Sequence, residues 1–227
     1  MFAAENLLLY AVTGRMGKQT LLEQIEEALK GGITLLQLRE KDLSPDELIS
    51  EAIQIRRLCH RYNVPLIIND SPEAAFKSGA DGVHVGASDS PVAEIRKRAG
   101  KAFIIGATAK TPEQAIRAEN DGADYLGVGA VFPSPTKKDA IRITPDELKE
   151  ICGAVSIPCA AIGGIAASNM KLLAGCNISG IAVVSAVFGA ENIRRASSDL
   201  LGQIKDLIKI TERNGGFNEN SIVNRRE

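Results

Sequence analysis

The feature that most constrains this chain is an alternation that repeats eight times. Short runs rich in Val, Ile and Leu lie at 7–13, 34–39, 65–70, 82–86, 103–108, 125–131, 159–164 and 180–186. Segments of helical period separate them, near 20–30, 45–62, 72–78, 91–99, 112–121, 145–152, 168–174 and 191–209. Five of these segments open on a Ser-Pro or Thr-Pro pair: Ser44-Pro45, Ser71-Pro72, Ser90-Pro91, Thr111-Pro112 and Thr144-Pro145. In such a pair the hydroxyl caps the first turn, and proline occupies the first helical position, where its missing N–H costs nothing. Phrases such as SGADGVHVG (78–86) and DGADYLGVG (121–129) end a helix on glycine and open the next strand. Strands alternating with helices imply right-handed βαβ units and a parallel sheet. Eight units in about 200 residues fit the small end of the (β/α)8 TIM-barrel range, with a parallel eight-stranded core. A doubly wound open sheet would announce a G-x-G-x-x-G turn after the first strand, and none is present.

No linker rich in Pro, Gly and Ser divides the 227 residues, 44% of which are hydrophobic. One α/β barrel catalytic domain over 1–209 is expected, followed by a polar tail, 210–227, that loses periodicity and is expected to be partly disordered. A net charge of −1 argues against nucleic-acid or membrane-surface partners. Cys59, Cys152, Cys159 and Cys176 form no C-x-x-C pair and read as reduced buried thiols. The N-terminus has no basic region ahead of its short apolar run, so a cytoplasmic location is expected. The segment GRMGKQT (14–20) imitates a phosphate-binding loop. Two residues, not four, separate its glycines, and Gln19 follows the lysine, so it reads as an ordinary connection.

Chemistry in a barrel sits at the C-terminal strand ends. After the second run come Gln37, Arg39 and Lys41, spaced i, i+2, i+4, so that they would share one side. Two cations and an amide suit a polyanion. Asn69 and Asp70 follow the third run and Asp89 the fourth. Each carboxylate alone reads best as a helix cap. Together, beside a polyanion site, they suit Mg2+, which takes one or two carboxylates plus phosphate oxygens and water. Ser134, Thr136 and Lys137 follow the sixth run, and IGGI (162–165) and VVSAV (183–187) follow the last two. Glycine N–H groups there suit a monophosphate. His60 lies in a helical pattern, and His84 inside a strand reads as packed. Two anion sites, a metal and few acid–base groups point to displacement of a diphosphate.

The stretches QLREK (37–41), IINDSPEAAFKSGADGVHVG (67–86), FPSPTKKD (132–139), AIGGI (161–165) and AVVSA (182–186), with Asp89, resemble thiamin-phosphate synthase. The resemblance implies a transferase of thiamine biosynthesis. It would join 4-amino-2-methyl-5-hydroxymethylpyrimidine diphosphate to 4-methyl-5-(2-hydroxyethyl)thiazole phosphate, releasing pyrophosphate. It places Gln37, Arg39, Glu40, Lys41, Asn69 and Lys137 at the pyrimidine diphosphate, Asp70 and Asp89 on Mg2+, and Ser134, Pro135, Thr136, Gly164, Val184 and Ser185 at the thiazole phosphate. It places Thr108 near the reacting carbon, with Arg39, Lys41 and Lys137 easing the leaving group. The chain departs from the family pattern at Ala87, Thr108, Lys110 and Ala130. A thiazole tautomerase-like isomerase and a non-catalytic barrel binding a phosphorylated metabolite remain as alternatives, and a homo-oligomer is left open.

Overall fold

A computed structural model describes residues 2–86, 89–133 and 141–215. Eight parallel strands close into a barrel: β1 (Leu9–Val12), β2 (Leu35–Leu38), β3 (Leu66–Asn69), β4 (Gly82–Val85), β5 (Ile104–Ala109), β6 (Tyr125–Gly129), β7 (Cys159–Ile162) and β8 (Gly180–Val183). They pair in sequence order, and β8 closes on β1. The helices between them are α1 (Leu21–Lys30), α2 (Pro45–Arg61), α3 (Pro72–Ser78), α4 (Val92–Ala99), α5 (Pro112–Asn120) and α6 (Pro145–Gly153). The four-residue helix α7 (Ser185–Phe188) and the long α8 (Ile193–Gly215) follow β8. The (β/α)8 expectation is therefore met. The helical pattern near 168–174 is a 3-10 turn, Met170–Leu173, so β7 and β8 lack a full crossover helix among the described residues. Helix α8 runs six residues past the predicted end at 209, and residues 216–227 lie outside the described residues.

Local chemistry accounts for the helix starts. Ser44, Ser71, Thr111 and Thr144 each accept a backbone N–H from the third helical residue, with proline behind them. Ser90 does not: Pro91 itself is the N-cap residue of α4, and the helix begins at Val92 without a side-chain cap. Gly79 ends α3 at φ 69°, a left-handed position that glycine adopts without a Cβ penalty.

Strand alternation divides the apolar residues into two layers. Leu9, Ala11, Leu36, Leu38, Ile68, Val83, Val85, Ile105, Leu126, Val128 and Ile181 face the helices and build the larger core. Tyr10, Val12, Leu35, Ile67, Tyr125, Ala160 and Ala182 fill the barrel interior, with Leu7 beside them and Phe2 stacked on Tyr125 at the foot. Burying each large aliphatic side chain stabilises the fold by about 1.5–3 kcal/mol.

The foot of the barrel carries a device used three times. Leu9 N–H, at the start of β1, donates to Thr34 Oγ1, while Thr34 N–H donates to the Leu9 carbonyl. Leu66 of β3 and Asp81 exchange the same two bonds, and so do Ile105 of β5 and Asp124. In each case the side-chain acceptor is the residue just before the next strand. Orphan N–H groups at strand starts are thereby satisfied inside each pair of βα units.

Candidate active site

One cavity of about 190 Å3 opens among the C-terminal strand ends. Its wall includes Tyr10, Val12, Gln37, Arg39, Asn69, His84, Thr108, Lys110, Gly129, Ala130, Gly163, Gly164, Val184 and Ser185. Among the residues singled out from the sequence, Gln37, Arg39, Asn69, Thr108, Gly164, Val184 and Ser185 are brought together here.

Lys41 and Glu40 are placed differently. β2 ends at Leu38, so the alternation that puts Gln37 and Arg39 on one side does not extend to Lys41, which lies exposed in the following turn. Glu40 turns away from the cavity wall. Its carboxylate accepts from Arg15 Nε at 2.8 Å and from Thr13 Oγ1 at 3.3 Å, and Arg15 also reaches Glu51 of α2 at 2.7 Å. Arg39 N–H donates to Thr13 Oγ1 at 2.9 Å. These bonds tie the turn that carries Arg39 to the end of β1 and to α2. Ser134, Pro135, Thr136 and Lys137, like Ala87, lie outside the described residues.

Asp70 and Asp89 are not among the wall residues; Asp70 directly follows Asn69 of the wall, and Asp89 lies four residues past the end of β4. Asp70 adopts φ 60°, a left-handed conformation that Asp tolerates, and its N–H donates to the His84 carbonyl at 2.9 Å. It does not cap α3, because Ser71 does. Asp89 closes its own turn by accepting the Gly86 N–H at 2.7 Å. Burial raises the Asp70 pKa above the ordinary carboxylate value. Hydrogen bonding to Asp89 and that residue's charge add to the rise, while Asn69 and Arg39 oppose it. Two carboxylates held this close favour a shared cation. Among the described residues no cluster of three or more ligand-type side chains exists. A two-carboxylate set fits Mg2+, which completes its shell from phosphate and water.

Across the mouth, Gly163 and Gly164 follow β7 at φ 102° and 62°. A Cβ on Gly164 would stand 2.2 Å from the Pro133 carbonyl oxygen, so only glycine lets the chain pass there. The segment after β6 runs alongside, with Val131 N–H on the Ile162 carbonyl and Phe132 N–H on that of Gly163. Val184 and Ser185, entering α7, complete this side.

Sequence reasoning missed the floor of the cavity. Gln37 Nε2 donates to Tyr10 Oη; the Tyr10 and Tyr125 hydroxyls are 2.8 Å apart; Tyr125 Oη lies 3.2 Å from His84 Nδ1; and His84 Nε2 lies 3.0 Å from Thr108 Oγ1. Glycines on β5 and β6 make the space. A Cβ on Gly106 would stand 2.4 Å from Tyr125 Oη and 2.5 Å from His84 Nδ1, and one on Gly127 would stand 3.1 Å from the His84 ring. Burial pushes the His84 pKa down to about 4, opposed by the charge of Asp89, and burial raises both tyrosines well above their ordinary value. The floor is therefore neutral near pH 7. Lys110 was noted only as a departure from the family pattern. It takes the next inward position after Thr108, and among the described residues it forms no ion pair. The inward alternation of β4 and β5 was the available signal for His84 and Lys110.

A closed parallel barrel with a cavity at its C-terminal face, Arg39 and Lys110 in its wall, defines a (β/α)8 barrel of the enzyme type, with its candidate site at the strand ends. Residues 9–187 match the family described as thiamine monophosphate synthase. The thiamine-phosphate synthase of Clostridium tetani is 46% identical over 196 residues, covering 86% of this chain and 94% of that protein. That of Methanobrevibacter smithii is 44% identical, covering 88% and 96%. The solved thiamine phosphate pyrophosphorylase from Pyrococcus furiosus superposes with a TM-score of 0.83 at 36% identity, over 90% of this chain and 98% of that one. The chain belongs to the thiamine-phosphate synthase family, a group of transferases in thiamine biosynthesis. All four cysteines are free and buried. No helix among the described residues is long and apolar enough to cross a membrane.

Proposed function

We propose that this enzyme couples the pyrimidine diphosphate to the thiazole phosphate, giving thiamin phosphate and pyrophosphate. The observation that carries the reading is the division of the mouth into two arcs. Arg39, Asn69, Asp70 and Asp89 lie at the ends of β2 to β4, and the glycine cradle with Val184 and Ser185 lies at β7 and β8. The first arc suits a metal-bound diphosphate and the second a monophosphate, leaving the reacting carbon and nitrogen to meet between them.

Asp70 and Asp89 would hold Mg2+ with the diphosphate, and the ion would neutralise charge on the leaving group. Arg39 shares that task as a fork of donors, and Lys110 adds a cation at the end of β5. The displacement is dissociative: diphosphate departs, the pyrimidine's amino group feeds electrons to the cationic carbon, and the thiazole nitrogen captures it. That nitrogen carries no proton, so no general base is required. The neutral floor suits this, since neither the imidazole nor the phenols act as a base near pH 7. The protein contributes position and charge.

A coupling assay with both substrates, with and without Mg2+ and with pyrophosphate as the readout, tests the reading. Pyrophosphate release that needs both substrates and the metal supports it. Isomerisation of a thiazole phosphate with no pyrophosphate released would establish the tautomerase alternative.

A further inference from the structure

The five-residue chain on the cavity floor has a direction. Gln37, Tyr10, Tyr125 and His84 are buried, and Thr108 lines the cavity. Buried protons need acceptors. An amide nitrogen donates and cannot accept. The Tyr10 proton therefore cannot go to Gln37 Nε2, and its available acceptor is Tyr125, 2.8 Å away. The Tyr125 oxygen accepts that bond, so its own proton goes to His84 Nδ1 at 3.2 Å. That nitrogen must be bare. A neutral imidazole with a bare Nδ1 carries its one proton on Nε2, which faces Thr108 Oγ1 at 3.0 Å. Thr108 receives this bond, and its own proton is left to point into the cavity.

We infer that Thr108 is a one-way group: the amide of Gln37, acting through Tyr10, Tyr125 and His84, makes its hydroxyl a hydrogen-bond donor to the substrate. If the chain ran the other way, Thr108 would spend its proton on His84 and show the cavity only lone pairs, which repel phosphate oxygens. This inference deepens the synthase reading and rests on it for the acceptor, an oxygen of the departing diphosphate. No proton is transferred; the bond strengthens as charge develops on that oxygen. Thr108 is catalytic in this sense. His84, Tyr125 and Tyr10 are positioning residues.

The test begins with the wild-type protein and no substrate. Long-range 1H–15N correlation of the imidazoles, with His60→Gln assigning the two rings, should show His84 protonated on Nε2 and bare on Nδ1. An Nδ1–H tautomer would overturn the inference. Tyr125→Phe removes the donor to Nδ1 and should leave a mixture of tautomers; an unchanged single tautomer would count against the chain. In the coupling assay Thr108→Ser should keep kcat within about threefold, while Thr108→Val should lose about 10²-fold in kcat with KM for the thiazole phosphate unchanged. Wild-type kcat in Thr108→Val would overturn the donor role. If wild-type protein released no pyrophosphate at all, the synthase reading would fail, and the tautomer measurement would still decide the direction of the chain.

Discussion

The rim of the barrel mouth and its floor solve opposite problems with the same strands. At the rim, Arg39, Asp70 and Asp89 keep charges beside water, and partial burial together with the neighbouring Asp89 opposes ionisation of Asp70. On the floor, burial holds His84 and two tyrosines neutral, and their polar groups bond to one another. In the proposed function the rim gains a cation and a polyanion. The floor is built to be finished before any substrate arrives. The comparison teaches that charge in this enzyme is left incomplete where ligands bring the complement, and closed where they do not.

The largest expected effect would break the rim. Asp70→Asn or Asp89→Asn should lower kcat by about 10³-fold, and EDTA should reproduce the loss in the native enzyme. Asp70→Asn should not lose stability. The Asp70 carboxylate has a raised pKa, so its ionised form is disfavoured by folding, and the neutral isostere removes that cost. A thermal melt of metal-free Asp70→Asn should match or exceed wild type; full turnover in chelator would end the metal assignment.

Next comes Arg39→Ala, which removes one forked cation and should cost about 10²-fold in kcat. Steady-state kinetics should place the loss on the pyrimidine diphosphate and not on the thiazole phosphate.

The floor should respond to pH instead. His84 has its pKa lowered to about 4 from 6.5, so the unfolded chain binds more protons between those values. Stability should therefore be fully present above pH 6.5 and fall as pH drops toward 4, by up to about 3 kcal/mol from this group. Denaturant titrations across that window should show the slope, and His84→Gln should flatten it. An unchanged slope in the variant would remove His84 as the source of the acid sensitivity.

The smallest effect tests a support of the rim. Arg15→Met should raise KM for the diphosphate several-fold by freeing the turn at Glu40. It should change stability by less than about 1 kcal/mol, because Arg15 is half exposed.

What was legible in the sequence follows the same division. The barrel was readable because eight apolar runs and four hydroxyl-proline helix starts each have a local cause. Arg39, Asp70 and Asp89 stood out only as a set: each carboxylate alone reads as a helix cap, and their meaning came from sharing one end of the barrel with a cation. Lys41 was extrapolated from a spacing that stops being geometry where β2 ends at Leu38. Ser90 imitated a cap that Pro91 displaced. The floor was hidden because its meaning lies between strands: His84, Gly106, Gly127 and Tyr125 sit on three of them, and the pairing register of β4, β5 and β6 is what sets Gly106 between His84 and Tyr125.

The reciprocal bonds at the foot, Leu9 with Thr34, Leu66 with Asp81 and Ile105 with Asp124, each begin and end inside one pair of strands. They mark where the polypeptide can be divided. A break between α2 and β3, at 62–65, or between α4 and β5, at 100–103, leaves every one of these couplings within a single fragment. A break after α1 or α3 separates the two members of one. Three of the four two-strand pieces thus carry their own fastening, and reconstitution from complementary fragments should favour the first kind of cut over the second.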